Sequence, residues 1–217
     1  MKLEKGQKLL FIGDSVTDCE RTKPEGEGLF GALGKGYVSY IDALIQSVYP
    51  ELSIRIVNKG VNGNTVRDLA KRWKTDVLKQ QPDWLTIMIG INDVWRQYDT
   101  PFIKDWHVYI EEYEETLRKL INETSPHVKG IVLMTPFYIE SNEQDAMRQT
   151  MDRYGSVVSH IAEEHDCIFV DTQAAFNQVL KDLYPSTLAW DRIHPTATGH
   201  MILARAFLRE INFDWNK

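Results

Sequence analysis

Apolar residues along the chain fall into two alternating patterns. Five short runs, Lys8 to Gly13, Ser53 to Asn58, Trp84 to Ile89, Gly130 to Met134 and Cys167 to Val170, are nearly continuous in hydrophobicity and rich in β-branched residues. Continuous hydrophobicity is what a parallel strand needs when helices cover both of its faces. Between the runs, apolar residues recur at helical spacing in Tyr37 to Val48, Thr65 to Gln80, Val108 to Glu123, Gln144 to Glu164 and Ala174 to Leu183, with a terminal stretch from Thr198 to Ile211. This alternation predicts a three-layer α/β/α architecture around a doubly wound, five-stranded parallel sheet. No composition shift or low-complexity linker divides the 217 residues, which read as one domain, 1–217.

Sheets of this kind bind ligands beyond the carboxyl ends of their strands. The residues that follow the runs are "GDSVTD", "KGVNGNTV", "GINDVW", "TPFY" and "DTQ", and three of the five are rich in polar, site-forming side chains. Taken singly, Gly-Asn-Asp clusters are turn formers. Three on one rim point instead to a site. The first run also ends abruptly on Gly13-Asp14-Ser15 and gives way to a long polar stretch, "VTDCERTKPEGEG", where a strand that only had to pack could turn in a few residues.

Ser15 is thus a candidate nucleophile, and a serine acts only with a base to take its proton and a group to orient that base. In "WDRIHPTATGH", Asp191 and His194 stand three apart before the last helix, and Pro195 biases His194 away from helical geometry. On its own such a pair fits a structural or surface role as well as a catalytic one. Gly63 in "VNGNT" allows close backbone approach, and Asn92 in "GIND" offers a neutral amide donor; with the Ser15 N–H they make a three-donor oxyanion hole. Asp14 reads as a loop brace rather than the orienting acid, and Arg21, Glu25 and Asp93 as rim or supporting residues. His200 reads as a core residue or one that supports the site from behind. His107, His127, His160 and His165 show no ligand spacing with a second His or Cys, so neither a metal nor a cofactor is expected.

Composition narrows the partners. With 43% hydrophobic and 26% charged residues the chain is an ordinary globular one, and its net charge of −6 argues against a nucleic-acid partner. The apolar stretch Leu9 to Ile12 is too short for a signal-peptide core or a membrane span, so no membrane partner is expected. With only Cys19 and Cys167, the chain reads as reduced, cytoplasmic and free of disulfides. Trp95, Tyr98, Phe137, Tyr138, Tyr184 and Trp190 fall on or near strand-end loops. Flat rings there can stack on sugars, close the core or bury a subunit interface. Trp95, Tyr184 and Trp190 are the substrate-binding candidates.

"FIGDSVTD", "NKGVNGNTVRDL", "IMIGINDVW" and "DRIHP" stand in the order and spacing of the four sequence blocks of the SGNH (GDSL-type) hydrolases, which the chain resembles over almost its whole length. Ser15, Gly63, Asn92 and His194 occupy the four name-giving positions. The nucleophile segment has Thr17 two residues after Ser15 and so lacks the GxSxG elbow of the usual α/β-hydrolases. The longer wording, including "MTPFYIE" and "LAWDRIHP", resembles the intracellular acetyl xylan esterases of bacilli within that family. The resemblance implies a flavodoxin-like SGNH fold, a Ser15-His194-Asp191 triad without cofactor or metal, and an even-numbered homo-oligomer. It also implies acetyl groups on xylose units as the target, and the cytoplasmic reading narrows the substrate to small, imported acetylated xylo-oligosaccharides. An SGNH lysophospholipase or thioesterase would need a long apolar acyl groove, and a carbohydrate-binding module would keep the aromatics without turnover.

Overall fold

The computed structural model describes residues 1–217. Strands β1 (Lys8–Gly13), β2 (Arg55–Asn58), β3 (Trp84–Met88), β4 (Gly130–Met134) and β5 (Ile168–Val170) form one sheet in the order β2-β1-β3-β4-β5, and every neighbouring pair is parallel. Leu9, Leu10, Phe11 and Ile12 are wholly buried, which explains why β1 is continuously apolar: neither of its faces meets water.

Helices α1 (Ser15–Asp18), α2 (Tyr37–Val48), α3 (Val66–Asp76), α4 (Ile91–Asp99), α5 (Ile110–Thr124), α6 (Ala146–Glu164), α7 (Thr172–Val179), α8 (Pro185–Leu188) and α9 (Ala197–Glu210) complete the fold. α2 and α7 pack against α9, while α5 packs against both α3 and α6. Right-handed crossovers therefore put α2, α7 and α9 on one face and α3, α5 and α6 on the other. The chain runs outward from β1 to the β2 edge and then returns to β3 on the other side of β1. Strand order reverses there, so the carboxyl ends of β1 and β3 flank a crevice.

Local chemistry sets the boundaries. α3 begins at Val66 because Thr65 caps it through a reciprocal capping box with Asp68. α7 begins at Thr172, two residues before the predicted start, because the Asp171 carboxylate accepts the Ala174 amide at 2.8 Å. The largest correction concerns "GINDVW", read from sequence as rim loop: it opens α4. Ile91, Val94, Trp95 and Tyr98 recur at helical spacing, so the signal was present but masked by the adjoining Gly-Asn-Asp chemistry. A second correction concerns Phe137, grouped with the rim aromatics. It is fully buried and packs on Phe176 with ring centroids 4.6 Å apart.

Candidate functional site

Ser15 is the first residue of α1, directly after the carboxyl end of β1. Asp14 caps that turn by accepting the Val16 amide at 3.0 Å, which aims the serine side chain out of the rim. Its Oγ lies 2.9 Å from His194 Nε2, across 179 positions of sequence. His194 Nδ1 lies 2.6 Å from Asp191 Oδ2. An ionised carboxylate can only accept, so Nδ1 carries the proton and Nε2 is left to accept from the serine hydroxyl.

The acid is held as firmly as the base. Asp191 Oδ1 accepts the Ile193 amide at 3.0 Å and the His194 amide at 2.8 Å, so one carboxylate folds the DRIH turn and orients the ring. Partial burial pushes the Asp191 carboxyl up, but the bonds from the His194 ring and the two amides outweigh it and hold the group below the usual carboxylate range. The His194 and Asp191 side chains are 45% and 36% exposed, so this network lies open to solvent at the rim. Chemically, a serine hydroxyl shared with a neutral imidazole backed by a carboxylate is equipped for acyl transfer.

Gly63 and Asn92, the donor candidates of the sequence, lie on the neighbouring strand ends. Gly63 follows β2 with φ of +76°, a conformation that suits glycine. Asn92 is buried in the first turn of α4 and donates through Nδ2 to the Asn64 carbonyl at 3.0 Å, leaving its second amide hydrogen free. The next residue, Asp93, accepts the Val66 amide at 3.0 Å.

The site's geometry agrees with what the whole chain resembles. Residues 11–202 match the model of the GDSL-like Lipase/Acylhydrolase family. The chain belongs to that family. Among curated proteins, the chain is 71% identical over 215 residues to "Acetylxylan esterase" of Geobacillus stearothermophilus, covering 99% of this chain and 98% of that one. The crystal structure of Axe2, an acetylxylan esterase from Geobacillus stearothermophilus, superposes with a TM-score of 0.98 at 71% identity, covering 99% of this chain and 98% of that one. Axe2 variants S15A, D191A and H194A have also been solved and are described as catalytic mutants. LAE5, an alpha/beta hydrolase enzyme from the metagenome of Lake Arreo, is 51% identical, with a TM-score of 0.97 and 98% of each chain covered.

In this family member, the supporting residues sort into two kinds. Some were visible in the sequence. His200 is buried and accepts the Tyr37 amide at Nδ1 over 3.2 Å; burial, with a smaller contribution from the His194 charge, pushes it down to about 4, so it stays neutral. Arg21 binds the carbonyls of Gly60, Thr22 and Pro24, and Glu25 pairs with Lys59. Burial pushes Asp14 up to about 7 and Asp93 up to about 8, and each has one carboxyl oxygen without a donor. No three His, Cys, Asp or Glu side chains converge as a metal-binding group.

Two fasteners escaped the sequence reading. Asn58, the last residue of β2, donates to the Thr17 and Leu33 carbonyls at 2.6 and 2.8 Å and accepts the Gly60 amide at 2.8 Å, sewing the Ser15 loop to the Gly63 loop. The two loops are so close that a Cβ on Gly60 would sit 2.1 Å from the Asp18 amide nitrogen. Arg72 binds the carbonyls of Gly13 and Lys59, the Asn64 side chain and Asp76. A polar residue ending an apolar strand was the available signal for Asn58; Arg72 looked like any helix surface cation.

Of the substrate-binding candidates, Trp95 meets the catalytic constellation directly, edge-on to His194 with centroids 6.0 Å apart. Tyr184 and Trp190 are 82% and 89% exposed, on the segment that leads into Asp191. Tyr98 is engaged elsewhere, its hydroxyl bonded to the Ala146 carbonyl and Thr150.

Proposed function

We propose that the chain is a serine esterase that removes acetyl groups from small acetylated xylo-oligosaccharides, acting as one catalytic domain over residues 1–217. The observation that carries the reading is the unbroken hydrogen-bond line from Ser15 through His194 to Asp191. The 71% identity to an acetylxylan esterase supports the substrate.

In this reading Ser15 Oγ attacks the acetyl carbonyl carbon while its proton passes to His194 Nε2, and Asp191 stabilises the imidazolium across the Nδ1 bond. The Ser15 and Gly63 N–H groups and the Asn92 amide receive the carbonyl oxygen as it becomes negative, where fixed donors are worth most. The sugar oxygen leaves with the proton from His194. Water then attacks the acetyl-enzyme by the same route, giving acetate and free Ser15.

We further infer an assembly of an even number of copies, supported by the broad exposure of Tyr184 and Trp190 beside the triad loop. We also infer that the enzyme acts in the cytoplasm, a reading supported by the burial of Leu9 to Ile12 as core residues of β1 and by the two free cysteines, Cys19 and Cys167. Acetate release from a panel of acetylated xylo-oligosaccharides, run beside 4-nitrophenyl esters from acetate to decanoate, tests the substrate. Preference for the long esters would overturn it in favour of a lipase. Light scattering tests the assembly, and a monomer near the 25.1 kDa chain mass would refute it.

A further inference from the structure

A cavity of about 290 Å3 adjoins the oxyanion segment, with walls that include Gly63, Arg67, Asp68, Arg96, Asp105 and Trp106. It touches both halves of the site. Gly63 is one of its walls, and Arg96, another, lies 4.9 Å above the ring of Trp95, which in turn stands against His194.

Its far wall is built rather than loose. The Arg67 guanidinium holds both oxygens of Glu112 at 2.7 Å and donates to the carbonyls of Asp105 and His107 at 2.9 and 3.2 Å. His107 is tied back to the Thr100 carbonyl at 3.0 Å. These bonds fix the single turn that carries Trp106, yet that residue remains 53% exposed. An ordered aromatic left half in water on a polar wall has the form of a recognition platform.

The chemistry of the walls selects the ligand. Trp106 is the one hydrophobic lining residue, so an acyl chain placed here would strip water from charged groups and return nothing for it. Each of the three wall cations, Arg67, Lys71 and Arg96, already has a carboxylate partner in Glu112, Asp68 and Asp99, so an anion would find no unpaired cation and would face Asp105. A neutral, polyhydroxylated ring suits every wall: its hydroxyls donate to the carboxylates and accept from Arg67, Arg96 and Lys71, and its C–H face lies on the indole.

We propose that this cavity is a subsite for the xylose unit adjoining the acetylated one, with Trp106 as its stacking platform. The proposal rests on the substrate reading given above and extends it to a specific place on the rim. It makes Trp106 and Asp105 determinants of oligosaccharide recognition, distinct from the groups that perform the acyl transfer.

Steady-state kinetics on a monoacetylated xylotriose and on 4-nitrophenyl acetate tests it. Trp106→Ala should raise KM for the oligosaccharide by about tenfold, and the ratio of kcat/KM for the oligosaccharide to that for the nitrophenyl ester should fall by a similar factor; Trp106→Phe should recover most of both. Asp105→Ala should shift the ratio in the same direction by about threefold, because Arg67 grips the Asp105 backbone oxygen, not its side chain. An unchanged ratio in both variants, or equal losses on the two substrates, overturns the subsite. Unacetylated xylotriose titrated into the Ser15→Ala protein should give saturable binding that Trp106→Ala weakens; absence of saturable binding counts against it equally. A wild-type enzyme that cleaves the nitrophenyl ester but not the oligosaccharide overturns the substrate reading itself, and that result is distinct from an active enzyme indifferent to Trp106.

Discussion

The Asp93 carboxyl group accepts the Val66 amide at 3.0 Å, and its second oxygen is buried without a hydrogen-bond partner. Its neighbour Asn92 holds the Asn64 carbonyl at the same distance. Two consecutive residues of α4 thus grip the segment just after Gly63. The grip requires a carboxyl group where ionisation is costly.

That cost has a sign. An unfolded Asp93 ionises near 3.8, whereas burial, offset in part by the Val66 amide, pushes the folded group up to about 8. The folded state therefore binds the extra proton between these values, and this contribution to stability is present below pH 4 and lost as pH rises through about 8. Asp93→Asn keeps an oxygen for Val66 and has no charge to bury. Its melting temperature should gain on wild type as pH rises from 5 to 9, and a constant difference across thermal scans in that range would show that Asp93 does not titrate.

The orienting acid is tested by a pair of amides. Asp191→Asn should fold normally yet lose on the order of 10⁴ in kcat, because an amide that donates toward Nδ1 favours the wrong imidazole tautomer. Asp14→Asn should retain most activity, since its role is to accept the Val16 amide and an amide oxygen can do the same. The reverse pattern in kcat would exchange the two assignments.

Ser15→Ala and His194→Ala should each abolish nearly all turnover, and the double variant should lose little more than either alone. Nucleophile and base break the same step, so their effects cannot add. Losses that multiplied in a double-mutant cycle would mean that the two side chains act in separate steps.

Much of this site was legible because the chemistry is carried by short blocks whose neighbours in sequence are also neighbours in space. Asp191 and His194 share one turn, and Ser15, Gly63 and Asn92 each follow a strand whose apolar run announces its end. α4 was missed because Gly90, Asn92 and Asp93 are turn formers by composition and masked the helical spacing of Ile91, Val94, Trp95 and Tyr98, whose first two members pack into the core. Arg72 and Asn58 were opaque for a different reason. Their tying partners include backbone carbonyls of distant loops, those of Gly13 and Lys59 for Arg72 and of Thr17 and Leu33 for Asn58, and a carbonyl has no residue-type signature.

With Asn92 in the proposed oxyanion hole, Asn92→Ala should lower kcat by about 10² to 10³ with little movement in KM, because a donor to the oxyanion acts more on the transition state than on the ground-state carbonyl. A risen KM with intact kcat would mark Asn92 as a sugar contact instead. The same variant should still react with a serine-directed organophosphate, since Ser15, His194 and Asp191 remain in place.

The long sequence interval between Ser15 and His194 also bears on how activity appears during synthesis. The acid and base form a local unit within one turn, but their nucleophile lies near the opposite end of the chain, and the two meet only once both ends are folded onto the same rim. Nascent chains and partly folded species thus remain catalytically silent, and they release no acetate while their loops are still unformed. Recovery of turnover in a refolding experiment should track the last phase of assembly rather than the first collapse, which makes ester hydrolysis a reporter of finished tertiary structure.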